Sequence, residues 1–148
     1  MRNALGDYRR TGARFQVPFL LSLFADASVE RKNWTDGMTA ISEALSLIEE
    51  TGEAHVVPDV YRIRGDLLAG SRSGDPETEY LKALELARLQ GTRWFELRAA
   101  MSLARLLAEH RRRPEARELL APTLWMVTEG SVHLISSAPR SSWNASTD

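Results

Sequence analysis

The chain has no cysteine, so disulfides, thiolate nucleophiles and cysteine-bound zinc or iron–sulfur centres are excluded. It has almost no net charge: 19 basic against 20 acidic residues leave −1 at neutral pH. No global field therefore draws it toward nucleic acid or an acidic membrane surface. Histidines are scarce. His55, His110 and His133 are far apart in sequence, and none stands one helical turn from another histidine or a carboxylate pair. No metal site is expected from them. The stretch Gly65–Gly74 holds three glycines but neither phosphate-loop spacing, so it reads as a helix end followed by a loop. Long apolar runs are missing too. Val17–Ala25 is shorter than the roughly 20 residues that cross a bilayer. Upstream arginines and Ala25-Asp26-Ala27 give it the look of a signal peptide, but Asp7, Pro18 and Ser22 favour a buried helix. Lysine is nearly absent, Lys32 and Lys82 being the only two. The run Arg111-Arg112-Arg113 has no interleaved aromatics and reads as a solvated turn.

What the chain does contain is self-similarity. Ala4-Leu5, Ala44-Leu45 and Ala83-Leu84 recur at spacings of 40 and 39 residues, and Gly12, Gly52 and Gly91 keep the same two spacings. A period of this size marks stacked supersecondary units. Between the markers, apolar residues fall at steps of three and four, as on one face of a helix. Met38, Ile41, Ala44, Leu45 and Ile48 form one such face; Trp94, Leu97, Ala100, Met101, Ala104 and Leu107 form another. Trp34 and Trp94 open helices and are read as packing residues. The glycines stand where helix C-caps belong, and Asp75-Pro76 makes a helix start, with Asp as cap and Pro in the first turn. These signals predict an all-α chain of seven antiparallel helices over 2–11, 16–30, 34–50, 57–71, 75–90, 94–110 and 113–127. The repeat domain spans 1–128. From 129 to 148 Ser, Thr, Pro and Asn dominate, and this segment is predicted to be a disordered tail.

In the third unit Ala100, Leu103, Ala104 and Leu107 follow the large–small–large order of the tetratricopeptide motif, with Glu115-Ala116 and Leu120 at the expected interval. Ala25 and Gly65 are the small residues of the other units; Ile41 and Tyr80 correspond to Leu120. The runs Gly91–Leu107, Glu115–Pro122 and Tyr61–Leu68 further resemble the C-terminal repeat region of large bacterial ATPase-type signalling regulators, many of which carry a cyclase or transcription-factor domain. The resemblance covers residues 4 to about 130 and implies a tetratricopeptide-like α-solenoid. It also implies a concave groove lined by the first helix of each unit. Carried over by position, that groove presents Ser22, Asp26, Arg62, Asp66, Arg98, Met101, Arg105 and Glu109.

The implied function is a cytoplasmic protein–protein interaction or scaffolding module, a fragment of a signalling regulator. It would have no enzymatic activity and no cofactor, would bind a protein or peptide rather than nucleic acid or membrane, and could self-associate through its open ends. Two alternatives stand beside it: a spacer without a ligand, and the non-catalytic piece of a nucleotide-binding regulator. The resemblance stops at Gly130, and the tail is expected to be the product of a reading-frame shift near there. In another frame Trp143-Asn144 must encode Glu, and with GC-rich codons the tail rereads as an amphipathic helix.

Overall fold

The computed structural model describes residues 16–123, which contain six helices and no strand. These are α1 (Val17–Glu30), α2 (Trp34–Thr51), α3 (Val57–Ser71), α4 (Pro76–Gln90), α5 (Arg93–Glu109) and α6, which begins at residue 113 and is described through 123. Helices α1 to α5 lie within two residues of their predicted bounds at each end, as does the start of α6; the predicted end of α6 at 127 lies outside the described residues. The predicted helix 2–11, Gly12 and everything from 124 onward, including the tail, lie outside the described residues. No helix among them is long and apolar enough to cross a membrane.

The boundaries follow from local chemistry. Asp75 accepts from the backbone N–H groups of Glu77 and Thr78, and Asn33 accepts from that of Asp36, so two orphan donors at the start of α4 and one at the start of α2 are drawn to a side-chain oxygen. Helix ends share one device. Lys32, Arg72, Gly91 and Arg111 are all left-handed, at φ 56, 54, 66 and 63°. The following residue then donates back to the carbonyl five earlier: Asn33 to Ser28, Ser73 to Leu68, Thr92 to Ala87 and Arg112 to Leu107. This is the Schellman cap, in which a left-handed residue turns the chain and satisfies two carbonyls. Gly52 caps α2 in the same conformation, at φ 70°. Lys32, Arg72 and Arg111 recur at spacings of 40 and 39, the spacings that the sequence markers keep. The start of α1 is held from outside: the buried carboxylate of Glu53, in the turn after α2, accepts from the Gln16 N–H at 3.2 Å.

Each helix packs on its sequence neighbour from α1 to α5, and α3 also touches both α1 and α5. The first core joins Val17, Leu21 and Ala25 of α1 to Ala40, Ile41 and Ala44 of α2 and Val60, Ile63 and Leu67 of α3. A second joins Tyr80 to Leu103, Leu106, Leu107 and Ala116, and a third joins Ala83 and Leu84 to Ala99 and Ala100. Small residues allow the close approaches. A methyl built on Gly37 would lie 2.5 Å from Cδ2 of Leu67, and one on Gly65 would lie 2.5 Å from the Tyr80 ring.

Two expectations need correction. Trp94 is 67% exposed and is not a packing residue. The apolar face predicted for α5 is met only in part: Ala100, Ala104 and Leu107 are buried, but Met101 is half exposed, and Glu96, Ala99, Ser102 and Leu106 are buried beside the predicted stripe. Helix α5 contacts α3 as well as α4, so its buried arc is wider than a single stripe.

Candidate functional site

The first helices of successive units, α1, α3 and α5, run side by side, and between them lies a cleft of about 470 Å3. Of the eight residues predicted to line a groove, seven do: Asp26, Arg62, Asp66, Arg98, Met101, Arg105 and Glu109. Ser22 does not. It is buried, and its hydroxyl donates to the Phe19 carbonyl within its own helix.

The floor of the cleft is an ion network centred on Arg62, whose side chain is 7% exposed. Its Nε donates to Asp59 Oδ1 at 2.6 Å, its Nη2 to Asp26 Oδ1 at 2.9 Å, and its Nη1 to Asp66 Oδ2. Arg98 reaches across from α5 to Asp59 Oδ2 at 2.8 Å and Asp26 Oδ2 at 3.3 Å. Tyr80 donates its hydroxyl to Asp66 Oδ1 at 2.7 Å. Three helices and three aspartates are thereby fastened to two guanidinium groups, whose planar forks suit several carboxylates at once. Asp59 and Tyr80 were missed by the sequence reading as members of this site. The spacing Asp59, Arg62, Asp66 along one helical face was the available signal.

The electrostatics follow from sharing. Burial alone would lower the pKa of Arg62, but its hydrogen bond to Asp59 and the charges of Asp59 and Asp66 raise it, so the guanidinium stays charged. Burial raises the Tyr80 pKa, with Asp66 adding to the effect, so the phenol stays a donor. Asp66 also has a raised pKa, chiefly from burial and partly from the like charge of Asp26; Arg62, Tyr80 and Arg105 pull the other way and do not fully offset it. Arg62 is divided among three carboxylates, so Asp66 does not receive a full counter-charge.

A pH dependence results. A carboxyl whose folded pKa lies above its ordinary 3.8 favours folding most below that value, and this contribution is lost as pH rises through the folded pKa. Asp66→Asn removes the titration while keeping an oxygen for Arg62. In urea melts across mildly acidic pH, the wild type is expected to gain stability relative to Asp66→Asn as pH falls from neutral toward 4. A difference independent of pH would show that Asp66 is not held above its ordinary range.

The rim differs from the floor. Glu30, Arg105 and Glu109 face the cleft and form no ion pair among the described residues, and Met101 is half exposed. Outside the cleft, Arg111-Arg112-Arg113 lies at the turn between α5 and α6, as expected, and Arg112 is also paired there. It donates to both carboxylate oxygens of Glu77, at 2.9 and 2.7 Å, and to Glu115, so it clasps α4 to α6. Among the described residues no group of three or more His, Asp or Glu side chains is arranged to hold a metal ion. The chain matches no family model, no curated protein and no solved structure.

Proposed function

We propose that this chain is a protein-interaction module, a tetratricopeptide-like helical stack that holds a peptide or a partner helix in the cleft between α1, α3 and α5. The observation that carries the reading is the division of charge within the cleft. Asp26, Arg62, Asp66 and Arg98 hold one another in place, leaving Arg105, Glu30, Glu109 and the Met101 thioether facing outward. A pre-ordered polar floor beneath adaptable, partly charged rim residues suits an extended or helical polypeptide. The repeat spacing and the contacts of α3 with both α1 and α5 support the solenoid arrangement.

The pairing of the floor carboxylates Asp26, Asp59 and Asp66 with arginine favours a binding role over a catalytic one. By its sequence resemblance the module belongs to a cytoplasmic signalling regulator of bacterial type. A ligand-free spacer is the second reading, because the same internal pairing leaves Arg62 and Arg98 no need of a ligand.

Selection of random peptides displayed on phage, followed by calorimetry with the full chain, separates the two. Arg105→Glu is expected to weaken a selected peptide about tenfold, because it turns a cation facing the bound peptide into a like-charge repulsion with the peptide's acidic groups. Glu85→Arg, on the exposed side of α4, should leave the affinity unchanged. Selected peptides insensitive to Arg105→Glu and Met101→Ala would leave the spacer reading in place.

A further inference from the structure

The two ends of the described helices are complementary in the same way that the inner contacts are. Offset by 79 residues, α5 and α6 repeat α1 and α2 with an identical turn: Lys32 and Arg111 are both left-handed, and Asn33 and Arg112 close the same five-residue backbone bond. Ala104, Ala108, Ala116 and Leu120 therefore hold the places of Ala25, Val29, Gly37 and Ile41. On α1 and α2 that groove is filled by α3. Leu67 packs on Gly37, the Gly70 backbone lies against the Trp34 ring, and Val60 and Ile63 are buried with Ile41. On α5 and α6 the same groove is, among the described residues, an open, largely apolar cavity of about 390 Å3, lined by Met101, Ala104, Ala108, Ala116 and Leu120, with Arg105, Arg113 and Arg117 also on its wall.

The matching knob is at the other end of the chain. Offset by 40 residues, α1 repeats α3, each with proline at the second helical position. Leu20, Leu23, Ala27 and Glu30 hold the places of Val60, Ile63, Leu67 and Gly70. In α3 the first three of these are buried; in α1, Leu23 is 44% exposed, Ala27 and Glu30 are exposed, and Leu20 is half-buried.

We propose that a second copy of this chain docks its α1 into the α5–α6 groove, repeating between molecules the packing that α3 makes within one. Two details fit this occupant. In the inner contact a large residue meets a small one, Leu67 on Gly37; across copies Ala27 meets Ala116, two intermediate residues sharing the same space. Glu30 takes the place of Gly70 and so falls beside Arg113, which holds the place of Trp34. Neither Glu30 nor Arg113 has an ion-pair partner among the described residues. The contact is heterologous, with different surfaces on the two sides, so a pair of copies still presents one unfilled knob and one unfilled groove.

The test is sedimentation velocity of the full chain from micromolar to near-millimolar concentration, with Leu23→Glu blocking the knob and Ala108→Arg blocking the groove. Both positions are exposed, so both variants should keep the wild-type circular dichroism spectrum. The wild type is expected to grow in average mass with concentration beyond a dimer. Each variant alone should stay at its 16.6 kDa monomer mass, and an equimolar mixture should form a dimer and stop there. Glu30→Arg and Arg113→Glu should each weaken association about tenfold, and combining them in one chain should restore it. A wild type that is monomeric throughout, a mixture that stays monomeric, or a single variant that still dimerises through a two-fold contact would each overturn the proposal.

Discussion

Replacing Arg62 by Ala is expected to lower the free energy of unfolding by about 3–5 kcal/mol, a large share of the roughly 5–15 kcal/mol that holds a domain of this size together. The loss does not come from the value of the pair itself, since a buried ion pair barely offsets the desolvation of its members. It comes from what is left behind. Asp59 and Asp66 have side chains only 10% and 14% exposed, and without Arg62 they lose their nearest counter-charge. Arg98 still reaches Asp59, but Asp66 would keep only the Tyr80 hydroxyl. Arg62→Lys should fall between wild type and Arg62→Ala, because a single ammonium cannot donate along three directions to Asp26, Asp59 and Asp66. Urea unfolding followed by circular dichroism measures both. A loss for Arg62→Ala of about 1 kcal/mol or less, the size of an exposed pair, would mean that water screens the network in solution.

Leu67→Ala is expected to cost about 2–5 kcal/mol, and its partner Gly37 gives the sharper experiment. Leu67 is fully buried at the junction of α1, α2 and α3. In the wild type, Gly37→Ala places a methyl 2.5 Å from Cδ2 of Leu67 and 3.1 Å from Cβ of Ser28, an overlap expected to cost about 1–3 kcal/mol despite the better helix propensity of alanine. In the Leu67→Ala background the nearest clash is gone and the propensity gain remains, so Gly37→Ala should become neutral or stabilising. A double-mutant cycle by urea unfolding is expected to give a coupling of about 1 kcal/mol or more, of compensating sign. Additive effects would mean that the helices do not approach as closely as drawn, and would also weaken the argument that Ala27 and Ala116 can share the equivalent space between two copies.

Helix identity and helix ends in residues 16–123 were legible in the chain itself, because short-range forces decide them. The left-handed turns at Gly52 and Gly91, the Asp75 cap and the three-and-four spacing of apolar residues act within one or two helical turns. The repeat made the groove legible by position as well: seven of eight residues chosen by register line one cleft. Which surfaces meet is a different matter. Arg98 pairs with Asp26, 72 residues away, and with Asp59, 39 away, and no local pattern ranks such partners. The burial of Ser22, the exposure of Trp94 and the bond of Tyr80 to Asp66 on the neighbouring helix are likewise matters of how the helices pack. Sequence alone settles where this chain turns and which stripes are apolar. Only packing in three dimensions decides which apolar stripe is covered and which charges neutralise each other, because burial and Coulomb energy depend on distances between elements that the backbone brings together far along the chain.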